Sequence, residues 1–474
     1  MRRQMRALIS ILAAMALGVM SAFLSAVALG ATALIVPGTG TPDPDNVAHY
    51  RENAWNRYID GVACTGDACA NPVLDGIPYP ASFWPMTFIP GWCVPGRCEK
   101  WDVSVDEGVA RLKDALLPLL TPTSSEEVFI FGYSQGGAVV ANALHYLDGL
   151  DLAAAVKARL KVVTIGGIEN PDGGLWQRFA WLRHLLGTPV PGLDITFEPP
   201  MPVDTGIHTT SIGFEYDPVV YAPRFWGNPF AVLNAIAAFD TVHGYYLSPD
   251  GDDAPDATMP YGYTPETLAP QLNCAVNEQN CRTDGFGNTY IMIPATSLPL
   301  TDLVRTWADE ARIGWLADPL VDLVEPVLRQ IVDLGYDWSG DPGVPRGMSV
   351  LPFKLFQNWI KVGIDLVVAA VEGVEAFLGN FVETPTATTE LETDREPAPR
   401  TENKQAVQDT NDANDAVGEV EEIELTERDE HDEADEDTSE PDDAADTGRT
   451  VRLPDKDRSA SSDGPRTKRT RAAA

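Results

Sequence analysis

The apolar run Val128–Phe131 leads into Gly132-Tyr133-Ser134-Gln135-Gly136 and then, through Gly137-Ala138-Val139-Val140, into a helix of small residues that reaches Leu147. This segment constrains the fold more than any other. The bare Gly-x-Ser-x-Gly pattern is weak evidence in a long chain. Its setting carries the information: an apolar strand runs straight in and a small-residue helix runs straight out. That is the strand–turn–helix context in which a serine is lifted onto a sharp turn at the carboxyl end of a sheet, above a helix N-terminus. Gly132 and Gly136 leave room for the turn and for close approach of helix and strand. The competing reading is a plain strand–helix turn with an idle serine.

The rest of the chain supports an α/β architecture. Ala33–Val36, Lys161–Ile165 and Thr209–Tyr216 are further apolar runs, and each ends in a turn signal: Pro37-Gly38-Thr39-Gly40, Gly166-Gly167 and Asp217-Pro218. Strands followed by helices imply a parallel sheet with helices on both faces. From Leu300 to Val382 the periodicity turns helical. Leu316, Leu320, Leu323, Val327, Ile331 and Leu334 recur at steps of three and four, and so do Ile364, Val367, Val368, Val371, Val374, Leu378 and Phe381. The second of these helices carries Asp365, Glu372 and Glu375. It reads as a helix capping the core or lying on a membrane, not as a spanning one. The expected organisation is a leader over 1–31, a catalytic domain over 32–341, a helical extension over 342–382 and a tail over 383–474.

Charge and cysteines give the compartment. Arg2, Arg3 and Arg6 precede a stretch with no charged residue before Asp43, and its first part, Ala7 to about Leu29, is apolar. This is the pattern of an export signal, and it is also long enough for an uncleaved anchor, which needs about 20 apolar residues. Either way the remainder is expected outside the cytoplasm, with the membrane as a partner through this segment. The six cysteines form three close pairs: Cys64 with Cys69, Cys93 with Cys98 and Cys274 with Cys281. Sequence alone leaves 15 pairings open, and local pairing is the simplest. An oxidising compartment favours disulfides. Zinc is the competitor, but the spacings are not those of a zinc knuckle and no His pair accompanies them. No metal or organic cofactor is expected.

The net charge of −36 argues against a nucleic-acid partner. Residues 383–474 hold 28 acidic against 12 basic residues, without aromatics, and turn basic only at the end. Such a segment buries too little apolar area to offset chain entropy, so disorder is expected. It reads as a solubilising extension. A docking role for it, toward cell-wall polymer or a partner, has no direct support in the sequence, which leaves protein partners open.

A nucleophilic serine needs a base, and the base an orienting acid. After a strand–serine–helix turn the chain order is Ser, acid, His. Of the later histidines, His145 lies on the helix leaving the turn, His184 sits in a Trp- and Leu-rich helix and His208 precedes the fourth strand. His243 follows the helical segment Pro229–Phe239 and opens Gly244-Tyr245-Tyr246. Asp217, at the end of the strand Thr209–Tyr216, stands where a parallel sheet delivers side chains to its active edge. Ser134, Asp217 and His243 are therefore the candidate triad, with Glu215, Asp240, Asp204 and Asp194 as rival acids. The backbone N–H of Gln135 and a donor from the Thr39-Gly40 loop are the candidate oxyanion hole. Phosphate binding by that loop is a weaker reading, since it has no Lys and lacks P-loop spacing. Phe83-Trp84-Pro85, Leu175–Leu186 and Phe225-Trp226 are candidates for an acyl groove or lid.

The turn GYSQGG resembles that of cutinases. VPGTGTPDP at 36–44, FGYSQGGAVV at 131–140, FEYDP at 214–218, VHGYY at 242–246 and LVEPVLRQIVDLGYD at 323–337 together resemble the PE-PPE-domain family of mycobacterial envelope serine hydrolases, a cutinase-like branch of the α/β hydrolases. The resemblance implies Ser134 as nucleophile, Asp217 as acid, His243 as base, and Thr39-Gly40 with Gln135 as oxyanion donors. It implies a lipid or glycolipid ester substrate. Three functions remain open. The first is an exported esterase or lipase with an acyl-enzyme on Ser134. The second is an acyltransferase moving fatty chains between trehalose glycolipids. The third is a catalytically idle lipid-binding or scaffold protein. No PE or PPE helical module precedes the matching region, and the acidic tail is no part of the family pattern.

Overall fold

A computed structural model describes residues 30–86, 93, 98–251 and 257–381. The expected leader up to residue 29 and the acidic tail lie outside the described residues. Among the described residues seven strands form one sheet: β1 (Thr32–Val36), β2 (Val73–Gly76), β3 (Val128–Tyr133), β4 (Leu160–Ile165), β5 (His208–Phe214), β6 (Cys281–Thr283) and β7 (Thr289–Ile293). The order is β2-β1-β3-β4-β5-β7-β6, and every neighbouring pair is parallel except β6–β7.

The four strands legible as apolar runs, β1, β3, β4 and β5, are adjacent in the middle of this sheet. Both of their faces are buried, which is why they read as unbroken apolar runs. Leu34, Val36, Ile130 and Val162 face one side, against α1 (Trp101–Leu116) and α2 (Gln135–Asp148). Ala33, Ile35, Phe129, Phe131 and Val163 face the other, against Tyr50, Trp55, Tyr58 and Leu268. The mostly parallel sheet with helices on both faces is the expected α/β architecture.

One boundary differs from expectation. The strand expected over Thr209–Tyr216 ends at Phe214. The Glu215 N–H still bonds the Ile293 carbonyl at 2.8 Å, but Tyr216 turns to a φ of 68° and ends the ladder. Asp217 therefore sits in the turn beyond the strand.

Three helices follow the sheet among the described residues, and the helical extension expected over 342–382 is helical only from Trp359, residues 342–358 being turns and loop. A third cluster of buried residues, among them Tyr216, Ala231, Leu298 and Val332, lies between α3 (Pro229–Thr241), α4 (Pro299–Glu310), α5 (Gly314–Asp333) and the end of the sheet. Residues 342–358 run back along the body. Arg346 bonds the buried Asp172 carboxylate, Ser349 donates to the Arg224 carbonyl at 2.7 Å, and its own carbonyl accepts from the Trp226 N–H at 2.8 Å. The last described helix, α6 (Trp359–Gly379), packs on α5, but not with the face that its periodicity suggested. Ala369 and Gly373 are its buried residues, and a Cβ on Gly373 would stand 2.2 Å from the Leu323 carbonyl oxygen. Ile364, Val367, Val371 and Leu378 point outward. The reason is close backbone approach, which selects small residues for the contact and leaves the large ones outside. Among the described residues no helix is long and apolar enough to cross a membrane.

All six cysteines pair with their near neighbours: Cys64–Cys69, Cys93–Cys98 and Cys274–Cys281.

Candidate active site

Ser134 stands between β3 and α2 with φ 53° and ψ −114°, a conformation rare for a residue with a side chain. Strain of this kind persists where the surroundings over-determine it. Its own N–H bonds the Ile165 carbonyl at 3.1 Å, which ties the turn to the end of β4. The flanking glycines are required by contact. A Cβ on Gly132 would lie 2.6 Å from the Gly136 carbonyl oxygen, and a Cβ on Gly136 would lie 2.4 Å from the carbonyl oxygen of Val36 and 2.6 Å from that of Pro37. Both obstacles at Gly136 are backbone, so β1 and α2 would have to separate. Gly136→Ala is expected to destabilise the protein by about 3 kcal/mol, at the upper end of ordinary overpacking, despite a helix-propensity gain of about 1 kcal/mol. The midpoint of urea unfolding measures it, and an unchanged midpoint would contradict this contact.

Ser134, Asp217 and His243 come together from three separate segments. The Ser134 hydroxyl is 2.9 Å from His243 Nε2, and His243 Nδ1 is 3.0 Å from both Asp217 oxygens. With Nδ1 facing a carboxylate, the proton sits on Nδ1 and Nε2 accepts from serine. His243 begins a short 3-10 turn directly after α3, anchored by the buried Val242. Tyr133 donates to the His243 carbonyl. Asp217 is fully buried. Besides His243 its carboxylate accepts from the Val219 N–H at 2.8 Å and the Tyr246 hydroxyl at 2.5 Å, so its plane is fixed.

Tyr246 was not legible as a site residue. Its hydroxyl also accepts from the Phe214 N–H at 3.0 Å, linking Asp217 to the end of β5. Burial, and then the Asp217 charge beside it, hold this phenol well above its ordinary range, so it remains a donor. Gly166 is a second missed position. It has a φ of 53°, and a Cβ there would lie 3.2 Å from both Asp217 Oδ2 and His243 Cε1. The signal for both was present: a tyrosine three residues after the histidine, and a Gly-Gly at a strand end.

The rival residues are engaged elsewhere. The His145 ring bonds the Pro200 carbonyl at 2.9 Å, His184 is exposed on a short helix, and His208 opens β5 at the opposite end of that strand from Asp217. Asp194 pairs with Lys100 at 2.6 Å, and Asp204 is exposed. Asp240 lines the cavity described below without joining the Ser–His pair.

Glu215 points away from the triad and accepts from the Ala295 N–H at 2.9 Å. Burial is the main reason that its carboxyl is pushed up to about 7, with Asp333 adding to the rise while the Ala295 N–H and Arg329 oppose it. The fold thus favours the neutral acid. That contribution is complete below the ordinary carboxyl range, near 4.5, and is lost as pH rises to about 7. Glu215→Gln is expected to become more stable than wild type across this window, by about 2 kcal/mol at pH 8. Urea unfolding of both proteins at pH 5 and pH 8 checks it, and a gap that does not widen with pH would count against the assignment.

The oxyanion candidates divide. Gln135 opens α2, so its N–H has no partner within the helix. Its buried side chain is pinned between the Ser104 hydroxyl and the Ser82 carbonyl, each at 3.1 Å. Gly40 does not supply the second donor, because its N–H is used by the Ala81 carbonyl at 2.8 Å. Thr39, which lines the cavity beside Ser134, is the donor left in that loop.

Ser134 and His243 open into a cavity of about 630 Å³. Its wall is mainly apolar, with Phe83, Trp101, Leu175 and Trp176 among the lining residues and the polar groups of Thr39, Ser134, Asp240 and His243 on it as well. Phe83 and Leu175–Trp176 thus lie where an acyl groove was expected. Phe225 and Trp226 do not: Phe225 is buried, and Trp226 packs on Phe179 at 4.7 Å.

Residues 71–337 match the PE-PPE domain. The chain belongs to the PE-PPE domain family. Curated proteins that resemble it include Esterase PE16 of Mycobacterium tuberculosis, 31% identical over 69% of this chain and 52% of the relative. Another is SL1278 acyltransferase Chp1 of the same organism, 30% identical over 67% of each chain. The chain spans about half the length of the first curated relatives it matches. Among solved structures, a cutinase-like protein from Cryptococcus sp. is 14% identical with a TM-score of 0.23, covering 40% of this chain and 79% of the other. The catalytic core of acetyl xylan esterase from Trichoderma reesei is 19% identical with a TM-score of 0.22, covering 30% and 66%.

Proposed function

We propose that this PE-PPE domain protein is an exported serine esterase that cleaves acyl esters of envelope lipids through an acyl-enzyme on Ser134. The observation that carries this reading is the unbroken hydrogen-bonded chain from Ser134 through His243 to Asp217, opening into an apolar cavity. His243 Nε2 takes the proton as Ser134 Oγ attacks the ester carbonyl. The N–H groups of Gln135 and Thr39 receive the developing oxyanion. His243 then returns the proton to the leaving alcohol, and Asp217 steadies the imidazolium. The acyl chain lies along the apolar wall. Water, activated by His243, releases the acid and restores the serine. Three disulfides support a site of action outside the cytoplasm.

A second reading shares every step up to the acyl-enzyme. A sugar hydroxyl of a glycolipid such as a trehalose ester replaces water as acceptor. The relative named SL1278 acyltransferase, matched over two thirds of both chains, favours considering it. The deciding experiment supplies a long-chain p-nitrophenyl ester with and without a trehalose glycolipid and analyses the lipid products. Free fatty acid as the main product in both cases supports the esterase. An acylated glycolipid at the expense of free acid moves the assignment to transfer. Absence of an acyl-enzyme in folded protein rejects both.

A further inference from the structure

Helix α3 is built inside out. Its buried residues are Ala231, Asn234, Ala235, Ala237 and Ala238, whereas its large apolar residues face outward. Phe230, Leu233, Ile236 and Phe239, at steps of three, form a stripe along the helix and are 43%, 49%, 60% and 41% exposed. An ordinary surface helix shows the opposite pattern, with large apolar residues inward and polar ones outward. From Pro229 to Phe239 the helix carries no charged residue at all. Exposed apolar surface of this extent marks an interaction site and not random exposure.

The stripe is continuous with the catalytic cavity. Ile236 and Phe239 belong to both: they are exposed on the helix and they line the space that holds Ser134. The Phe239 ring is 6.0 Å from the His243 ring. The cavity mouth therefore lies at one end of an apolar surface track. Next to α3, α4 and α5 present Trp307 and Trp315 to solvent, the residue type favoured at the boundary between water and lipid.

We infer that the outward stripe of α3 seats in a layer of neutral lipid, so that an acyl chain passes from that layer along Ile236 and Phe239 into the Ser134 cavity. The inference rests on the proposed ester substrate, since continuity with the cavity selects lipid as the occupant. A protein partner would be met by a polar rim around an apolar centre, whereas this stripe carries no charge from Phe230 to Phe239 and meets one only at Asp240, at the cavity mouth. The net charge of −36 disfavours an anionic surface. Interfacial helices of this kind lie in the plane of the boundary with the apolar face sunk into the acyl region.

The test uses the full chain carrying Ser134→Ala, so that seating is read without catalysis. An environment-sensitive fluorophore is attached at Leu233→Cys, and in a second sample at Arg111→Cys on the exposed face of α1. Phosphatidylcholine vesicles with spin-labelled acyl chains supply the quencher. The Leu233 probe is expected to shift to the blue and lose most of its emission, while the Arg111 probe keeps its own. A Leu233 probe that stays unquenched on vesicle-bound protein overturns the inference. So does a probe already shielded from iodide without lipid in a sample that sediments as a dimer, because the stripe is then covered by a second copy. In catalytically intact protein, Phe230→Ser with Leu233→Ser is expected to lower turnover of a vesicle-embedded long-chain ester about tenfold and to leave a soluble butyrate ester unaffected. Equal loss on both substrates rejects the stripe. Loss of all ester turnover in the parent protein, with Leu233 still quenched, instead rejects the esterase reading.

Discussion

Replacing Ser134 by alanine is expected to reduce ester turnover by about 10⁵-fold while leaving the fold intact. The substitution removes one oxygen atom, which donates to His243 Nε2 at 2.9 Å. Alanine fills the same backbone position, and the turn is held by Gly132, Gly136 and the bond from the residue-134 N–H to Ile165, none of which involves the hydroxyl. Loss of activity therefore separates cleanly from loss of stability. Steady-state rates on a p-nitrophenyl ester, paired with a thermal unfolding curve, measure both. A variant that keeps even a hundredth of the wild-type rate would show that Ser134 is not the nucleophile.

Asp217→Asn is expected to cost about 10⁴-fold in kcat with little change in KM. The reasoning follows the donors around the carboxylate. Val219 N–H bonds Oδ1, so an asparagine keeps its carbonyl oxygen there and places its NH₂ at the position of Oδ2. That NH₂ then faces His243 Nδ1 across 3.0 Å and donates to it. The imidazole is driven to the tautomer with its proton on Nε2, which cannot accept from Ser134. The Tyr246 hydroxyl, which donates to Oδ2, rotates to accept instead, so the pocket remains filled. Geometry is preserved and the proton is on the wrong nitrogen. A kcat within tenfold of wild type would mean that another acid orients the histidine.

How much of this was readable without coordinates depended on where each residue lies in the sheet. The central strands β1, β3, β4 and β5 are buried on both faces, so their sequences are continuous apolar runs that announce themselves. The edge strands do not. β2 is four residues with an aspartate and is largely exposed, and β6 is three residues, Cys281-Arg282-Thr283, paired antiparallel. The Ser–Asp–His constellation was legible because strand ends and chain order limit which residues meet at one edge of a parallel sheet. The hydrogen bonds that orient it were not, since Tyr246 and the Val219 N–H reach Asp217 only through the fold of the 214–219 turn. The oxyanion loop shows the same limit. Thr39 and Gly40 look equivalent in sequence, and only the bond from Gly40 to Ala81 distinguishes them. Helix α6 marks where periodicity misleads, and α3 is packed in the same inverted way. Periodicity finds the apolar residues correctly, but close packing through Ala and Gly puts the large ones outside.

The most direct test of the account is covalent. Purified protein is treated with a fluorophosphonate, and the modified residue is located by mass spectrometry of its peptides. The account requires a single adduct on Ser134, absent from Ser134→Ala. A folded sample that remains unmodified, or one labelled at a different serine, would contradict it.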